Sequence, residues 1–373
     1  MPRRGTKRLV FALVAVVIVV GALEAALRVA GFQYESFVEC PEWWTRCSTN
    51  PIFVGDPLLF WRLKPNANSD LNIESRATQY VNSQGFRDYE TPVEKAPNEL
   101  RVISLGDSCT FGDGVANWEA YPEVLEELVR KADPDRPVNV INAGVPGYTS
   151  YQIEQYLKTE LLKFHPDVVT VYVGFNDNIP ASGGVPDKLI NKGGDEAEAL
   201  QRALRPLRLY QFVNKIVSGI RNKDADLGPS RPLPEGVTYE SRVPVDDYIQ
   251  SLCDINKFGK EHDFTTVVMT LPHIFEKQPH RNREIRKAAR ECEIPMVELW
   301  DVMKAAQAEG VGLYNSDGGH PNAFGHRVIA KALFAELQKL GKIPAGPVPE
   351  LPPIDVDAGP EPDEFPAENA AQF

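Results

Sequence analysis

The sequence predicts an α/β protein built on a parallel sheet with helices on both faces. Three observations predict it. Five short runs, Leu100 to Leu105, Val138 to Ile141, Val168 to Val173, Thr265 to Leu271 and Pro295 to Leu299, have the length and apolar character of buried strands. Segments of helical spacing lie between them, and such βαβ alternation implies parallel strands. Turns rich in glycine and polar residues follow the first three runs directly, at the sheet edge where open α/β folds bind ligands.

Taken in order, residues 1–30 read as a signal-anchor. Arg3, Arg4, Lys7 and Arg8 precede an apolar run from Leu9 to Leu23, which Ala25, Ala26 and Leu27 extend to 19 positions, close to the roughly 20 needed to cross a bilayer. Glu24 and Arg28, four apart on a helix, can pair near the outer interface. No small-x-small site stands cleanly beyond the run. An uncleaved anchor with a cytoplasmic basic end and the bulk of the chain outside is therefore expected, a cleaved signal peptide being the alternative. Residues 31–98 form an arm rich in aromatic and turn residues, without a helical period, read as short strands and loops packed on the main domain. Within it, Arg87 is expected in a structural salt bridge.

The main domain spans 99–342. Its helical patterns are Trp118 to Lys131, with Val124, Leu125, Leu128 and Val129 apolar, then Tyr151 to Lys163, Tyr248 to Glu261, Glu276 to Glu293 and Asn322 to Leu340. Residues 179–244 interrupt the alternation with Gly/Pro-rich pieces and a helical stretch from Glu196 to Ile220. An insertion after a strand's carboxyl end reads equally as a substrate-binding cap or as a stabilising helix pair. Residues 343–373 carry eight prolines and seven acidic side chains with no basic one, the composition of a disordered tail.

Net charge is −12, and that tail accounts for more than half of it. With no basic stripe and no binding motif, nucleic acid is not an expected partner. Export permits disulfides. Cys40 and Cys47 form the first candidate pair and Cys253 with Cys292 the second, connectivity remaining open. Cys109 reads as a buried small side chain. No Cys/His cluster has metal-ligand spacing, and no metal or cofactor is expected.

Four blocks carry the chemistry: Gly106-Asp107-Ser108 after the first strand, Asn142-Ala143-Gly144-Val145-Pro146-Gly147-Tyr148-Thr149-Ser150 after the second, Gly174-Phe175-Asn176-Asp177 after the third, and Asp317-Gly318-Gly319-His320-Pro321 before the last helix. Alone, Gly-Asp-Ser is a common turn and Asp317/His320 an ordinary helix cap. Together they offer a serine nucleophile, a histidine base, and an acid close enough within one turn to orient the imidazole.

This order and spacing resemble the SGNH (GDSL-type) hydrolase family over about Arg101 to Leu340. The resemblance implies a three-layer α/β/α sandwich around about five parallel strands, of flavodoxin-like topology. It also implies a Ser108-His320-Asp317 triad and an oxyanion hole made by the backbone N–H groups of Ser108 and Gly147 and the side-chain amide of Asn176. Gly144 is then a turn glycine, Asp107 a loop brace, and His165 and His326 surface or packing residues. Cys109 departs from the leucine usual after the serine. The expected function is ester hydrolysis through an acyl-enzyme on a small-molecule, glycan or lipid ester outside the cytoplasm. An O-acyltransferase acting on envelope polysaccharide, or a non-catalytic binding protein of the same fold, are the alternatives.

Overall fold

A computed structural model describes residues 4–32, 52–56, 58–69, 79–181, 186–190, 204, 207–221, 241–272 and 281–354. The chain forms two compact units. The smaller comprises Met1–Ser48, Val54–Trp61 and Asn191–Glu235, and the larger comprises Thr49–Phe53, Arg62–Ile190 and Gly236–Phe373.

In the smaller unit, helix α1 (Arg4–Val29) carries the apolar run, with Phe11, Ile18, Val19, Leu23 and Val29 exposed. Glu24 pairs with Arg28 at 2.7 Å. Its carboxylate also accepts from the backbone N–H groups of Arg208 (3.1 Å) and Leu209 (2.8 Å), satisfying first-turn donors of a helix at Arg208–Arg221. Among the described residues no helix is long and apolar enough to cross a membrane. The anchor reading therefore rests on the sequence run Leu9–Leu27 itself.

Two short two-stranded ladders lie early in the chain, β1 (Phe53–Asp56) with β2 (Phe60–Leu63), most of it in the smaller unit, and β3 (Asn68–Ser69) with β4 (Gln79–Tyr80) in the larger; the larger unit also holds a sheet of five strands. The five are β5 (Leu100–Gly106), β6 (Val138–Gly144), β7 (Val168–Tyr172), β8 (Thr265–Met269) and β9 (Met296–Val297), in the order β6-β5-β7-β8-β9. Every neighbouring pair is parallel. β5 and β7 are buried along their whole length, as strands covered on both faces must be. The chain leaves β5 to one side for β6 and returns to the other side for β7. This reversal opens a crevice at the carboxyl ends of β5 and β7. The fold is the α/β architecture with a central five-stranded parallel sheet that the alternation predicts.

Two helix groups cover the sheet. One contains Tyr121–Ala132, Leu299–Ala308 and Ala323–Lys339; the other contains Ser150–Tyr156, Val245–Glu261 and Asn282–Glu291. Several boundaries differ from those expected. The Trp118–Lys131 pattern splits, because Ala120 is extended and Pro122 favours the first turn of a new helix. The Tyr151–Lys163 pattern passes through a π turn at Leu157–Leu161 and ends at His165 in the left-handed region. Helix Leu299–Ala308 is not expected from the sequence: only its first residue, Leu299, is read there at all, as the end of a strand. A disulfide joins Cys253 to Cys292 with 5.6 Å between Cα atoms. Cys40 and Cys47 lie outside the described residues, as do most of 191–240 and all of 355–373.

Residues 343–354, expected to belong to a disordered tail, lie against the domain instead, and 355–373 fall outside the described residues. Ile343 is buried, and carbonyls of Pro344, Gly346, Glu350 and Pro352 accept from Gln338, Lys131 and Arg327 on two helices of the domain. Residues 79–98 of the arm pack on the same unit. Arg101, fully buried, pairs with Glu99 at 2.7 Å and donates to the carbonyl of Val93.

Candidate active site

The first block is shaped by two absent side chains. Gly106 and Gly144 face each other in the β5–β6 register. A Cβ on Gly106 would stand 2.0 Å from Thr110 Oγ1 and 2.4 Å from the Tyr172 carbonyl; one on Gly144 would stand 2.2 Å from the Phe111 nitrogen. The short helix α2 (Ser108–Phe111) is thus seated directly on the sheet edge. Gly144 ends strand β6 and makes room for α2; it is not the turn glycine expected. Asp107 caps α2, accepting from the Cys109 N–H at 3.0 Å. Arg87, fully buried, donates to the carbonyls of Phe111 (2.6 Å), Gly112 (2.5 Å) and Val115 and to Asn117 Oδ1. These bonds make it a brace for the loop that leaves α2.

Ser108 Oγ lies 2.8 Å from His320 Nε2, and His320 Nδ1 lies 2.5 Å from Asp317 Oδ2. The other Asp317 oxygen accepts from the backbone N–H groups of Gly319 and His320. An ionised carboxylate only accepts, so Nδ1 carries a proton toward Asp317 and Nε2 of neutral histidine is left to accept from the serine. Helix capping falls to Asn322, which accepts from Gly325 N–H, rather than to Asp317. His320 therefore stands in the loop before the helix, held where Asn315 N–H donates to the His320 carbonyl at 2.9 Å.

The electrostatics follow from these contacts. Hydrogen bonds from His320 hold the Asp317 carboxyl well below the usual carboxylate range. Burial pulls the His320 pKa down, but the Asp317 hydrogen bond and the charges of Asp113, Asp317 and Asp107 outweigh it, and the net shift is upward from 6.5. Burial pushes Asp107 up to about 6, against the Cys109 hydrogen bond and the positive charge of His320.

Oxyanion stabilisation needs donors free to turn toward the substrate. Among the described residues the backbone N–H groups of Ser108 and Gly147 donate to no other group. Gly147 has φ 82° and follows Pro146, and Tyr148 N–H closes the turn onto the Val145 carbonyl at 3.1 Å; this is the type II pattern, with proline second and glycine third. The Asn176 amide nitrogen donates to Asp107 Oδ2 at 3.2 Å and to the Tyr148 carbonyl at 3.1 Å. Both of its protons are thus engaged. Asp107 reaches beyond its own loop to the third block. Asp177, raised to about 6 by burial, bonds Ser150 N and Oγ and ties the loop after β7 to the helix after β6.

Residues 104–328 match the GDSL-like Lipase/Acylhydrolase family. The chain belongs to that family. A GDSL-like acylhydrolase is an ester-bond hydrolase, and the match spans all four blocks. No curated protein matches the chain. Among solved structures, Axe2, an acetylxylan esterase from Geobacillus stearothermophilus, is 17% identical, covering 64% of this chain and 94% of its own at a TM-score of 0.41. LAE5, an alpha/beta hydrolase from the metagenome of Lake Arreo, Spain, is 18% identical with the same coverages and a TM-score of 0.41.

In this acylhydrolase the two histidines that the sequence sets aside, His326 and His165, lie elsewhere. His326 is fully buried, accepts the Tyr121 N–H at 3.1 Å, and has its pKa pushed down to about 3 by burial. His165 closes a helix end. Cys109 is buried, and burial pushes its thiol up, which keeps it protonated. Among the described residues no group of side chains could hold a metal ion. Gln152, Asp187 and Arg242, adjoining Gly147, were not singled out by sequence. Thr149 and Gln152 form a capping box, a pattern that could have flagged one of them.

Proposed function

We propose that Ser108, His320 and Asp317 act as a catalytic triad on acyl esters of carbohydrate or lipid outside the cytoplasm, with α1 as a membrane anchor. The observation that carries the triad is the unbroken relay from Ser108 Oγ through His320 to Asp317, at 2.8 and 2.5 Å. Ser108 Oγ attacks the ester carbonyl while its proton passes to His320 Nε2. Charge builds on the carbonyl oxygen, for which the N–H groups of Ser108 and Gly147 and the Asn176 amide are the donors. Collapse breaks the ester C–O bond, Nε2 returns the proton to the departing alcohol, and an acyl-Ser108 remains. Water, deprotonated by the same nitrogen, then releases the acid. Ser108→Ala is expected to abolish hydrolysis of p-nitrophenyl acetate while leaving the circular dichroism spectrum unchanged. Retained hydrolysis would refute the assignment, and acyl transfer to an added sugar in preference to water would redirect it to an acyltransferase.

Support for the anchor comes from the sequence alone: the apolar run Leu9–Leu27, and the basic residues Arg3, Arg4, Lys7 and Arg8 before it. The Cys253–Cys292 disulfide suits an oxidising compartment. Full-length protein is expected to stay with membranes after alkaline carbonate washing, and its recovery in the supernatant would refute the anchor.

A further inference from the structure

Arg242 closes the insertion. Its N–H donates to the Ile179 carbonyl at 2.8 Å, and its carbonyl accepts from Asp187 N–H at 2.8 Å, so both ends of the inserted segment meet there. Its guanidinium is 3% exposed and fully engaged. Nε and Nη2 grip the two Asp187 oxygens at 3.1 and 2.8 Å, Nη2 also donates to Gln152 Oε1 at 2.7 Å, and Nη1 donates to the Gly147 carbonyl at 2.7 Å. Asp187 Oδ2 and Gln152 Oε1 accept in turn from Thr149, two residues past Gly147.

Stability is a weak reason for such a pair, because a buried ion pair costs about as much to desolvate as it returns. What a bidentate guanidinium supplies is direction. In a Pro-Gly turn the central peptide, which carries the Gly147 N–H, can flip between type I and type II arrangements, and the flip reverses that N–H. At φ 82° Gly147 sits on the type II side. Arg242 pins the Gly147 carbonyl, Asn176 pins the Tyr148 carbonyl, and the Thr149–Gln152 capping box fixes the chain just beyond.

We infer that Arg242, oriented by Asp187, is a positioning residue that holds the Pro146–Gly147 turn in the arrangement presenting the Gly147 N–H to the oxyanion. This makes the insertion's closing point part of the hydrolytic machinery, and it rests on the proposed role of Gly147. A misdirected donor weakens transition-state binding and leaves ground-state binding nearly untouched, so the loss falls on kcat.

The experiment uses the full-length protein with p-nitrophenyl acetate at 25 °C and three variants: Arg242→Met, Arg242→Lys, and the double variant Arg242→Gln with Asp187→Asn. The double variant leaves no unpaired buried charge, so it reports on the turn even if Arg242→Met does not fold. Removing one oxyanion donor costs about 10²–10³ in kcat, so a misdirected one is expected to cost about 10- to 100-fold with KM changed less than about 3-fold. Arg242→Lys, whose ammonium can still donate to the Gly147 carbonyl, is expected to recover part of that loss. A folded double variant with wild-type kcat, its melting temperature alone lowered, would overturn the proposal. Labelling of wild-type Ser108 by a fluorophosphonate is read in parallel. Its absence would overturn the site reading and this inference together, whereas labelling beside an unaffected double variant would overturn the inference alone.

Discussion

Replacing Asp317 by asparagine isolates what the carboxylate does for His320. The change keeps size and removes charge. The new side-chain amide can turn its nitrogen toward Nδ1, which would favour the tautomer with the proton on Nε2, where it cannot take one from Ser108. During attack, the imidazolium formed on His320 faces a carboxylate 2.5 Å from its nearer nitrogen. Taking about 4 Å between charge centres, the attraction is about 1 kcal/mol in water and about 4 kcal/mol at an effective dielectric constant near 20. The Asp317 side chain is 43% exposed, so the value falls between these limits. That interval corresponds to roughly 5- to 10³-fold in rate. In a serine protease whose acid is buried, the same substitution costs about 10⁴. For Asp317→Asn a fall of about 10²–10³ in kcat is expected, less than in the buried case because water can reach the site. The pH dependence supplies a second readout. His320 must be neutral to accept the proton, and its pKa is raised from 6.5, so the acidic limb of kcat/KM lies above pH 6.5. Without the carboxylate, burial acts against fewer opposing charges and the limb moves to lower pH. A variant within about 3-fold of wild type whose acidic limb has not moved would refute the role of Asp317.

Two further outcomes test the scaffold. Gly106→Ala places a methyl 2.0 Å from the fully buried Thr110 and 2.4 Å from the Tyr172 carbonyl, so α2 must lift from the sheet. A loss of at least about 1–3 kcal/mol of stability in urea titration is expected, together with a fall in kcat, because Ser108 travels with α2; a fully stable, fully active variant would contradict the seating. The Cys253–Cys292 bridge closes a loop of sequence separation 39. Replacing both cysteines by serine is expected to cost about 4 kcal/mol on the chain-entropy account, measured by the urea midpoint, with kcat of the folded protein unchanged.

Much of this arrangement is legible in the chain because its causes are local. β5 to β8 show as apolar runs because a parallel strand covered on both faces has no polar alternation to hide it. Pro146-Gly147 carries its own turn chemistry. Helix Leu299–Ala308 is not legible. Only Leu299 and Met303 in it are buried, too few to set a period, and the apolar Pro295 to Leu299 ahead of it reads as strand. The docking of residues 343–354 is equally silent, since it uses the carbonyls of a Pro-rich segment, and carbonyls leave no mark in side-chain composition. Arg242 belongs to the same class. A single arginine in Glu240-Ser241-Arg242-Val243-Pro244 has no motif, and its partners lie 55, 90 and 95 residues away.

The two acids nearest the chemistry show how chain adjacency and spatial role part company. Asp107 adjoins Ser108 in the chain, yet its carboxylate is committed elsewhere: one oxygen caps Cys109 N–H and the other receives Asn176. The reason is geometric, since a strand passing into a helix turns successive side chains to different sides. Asp317 is more than two hundred residues away and reaches the site through a three-residue step to His320, whose ring spans the gap to Ser108. Burial then separates the two acids further. It raises Asp107 to about 6, whereas Asp317, half exposed and hydrogen-bonded three times, is held below the usual carboxylate range. A group that must remain an anion beside an imidazolium needs the second environment. Of the two, only Asp317 has it.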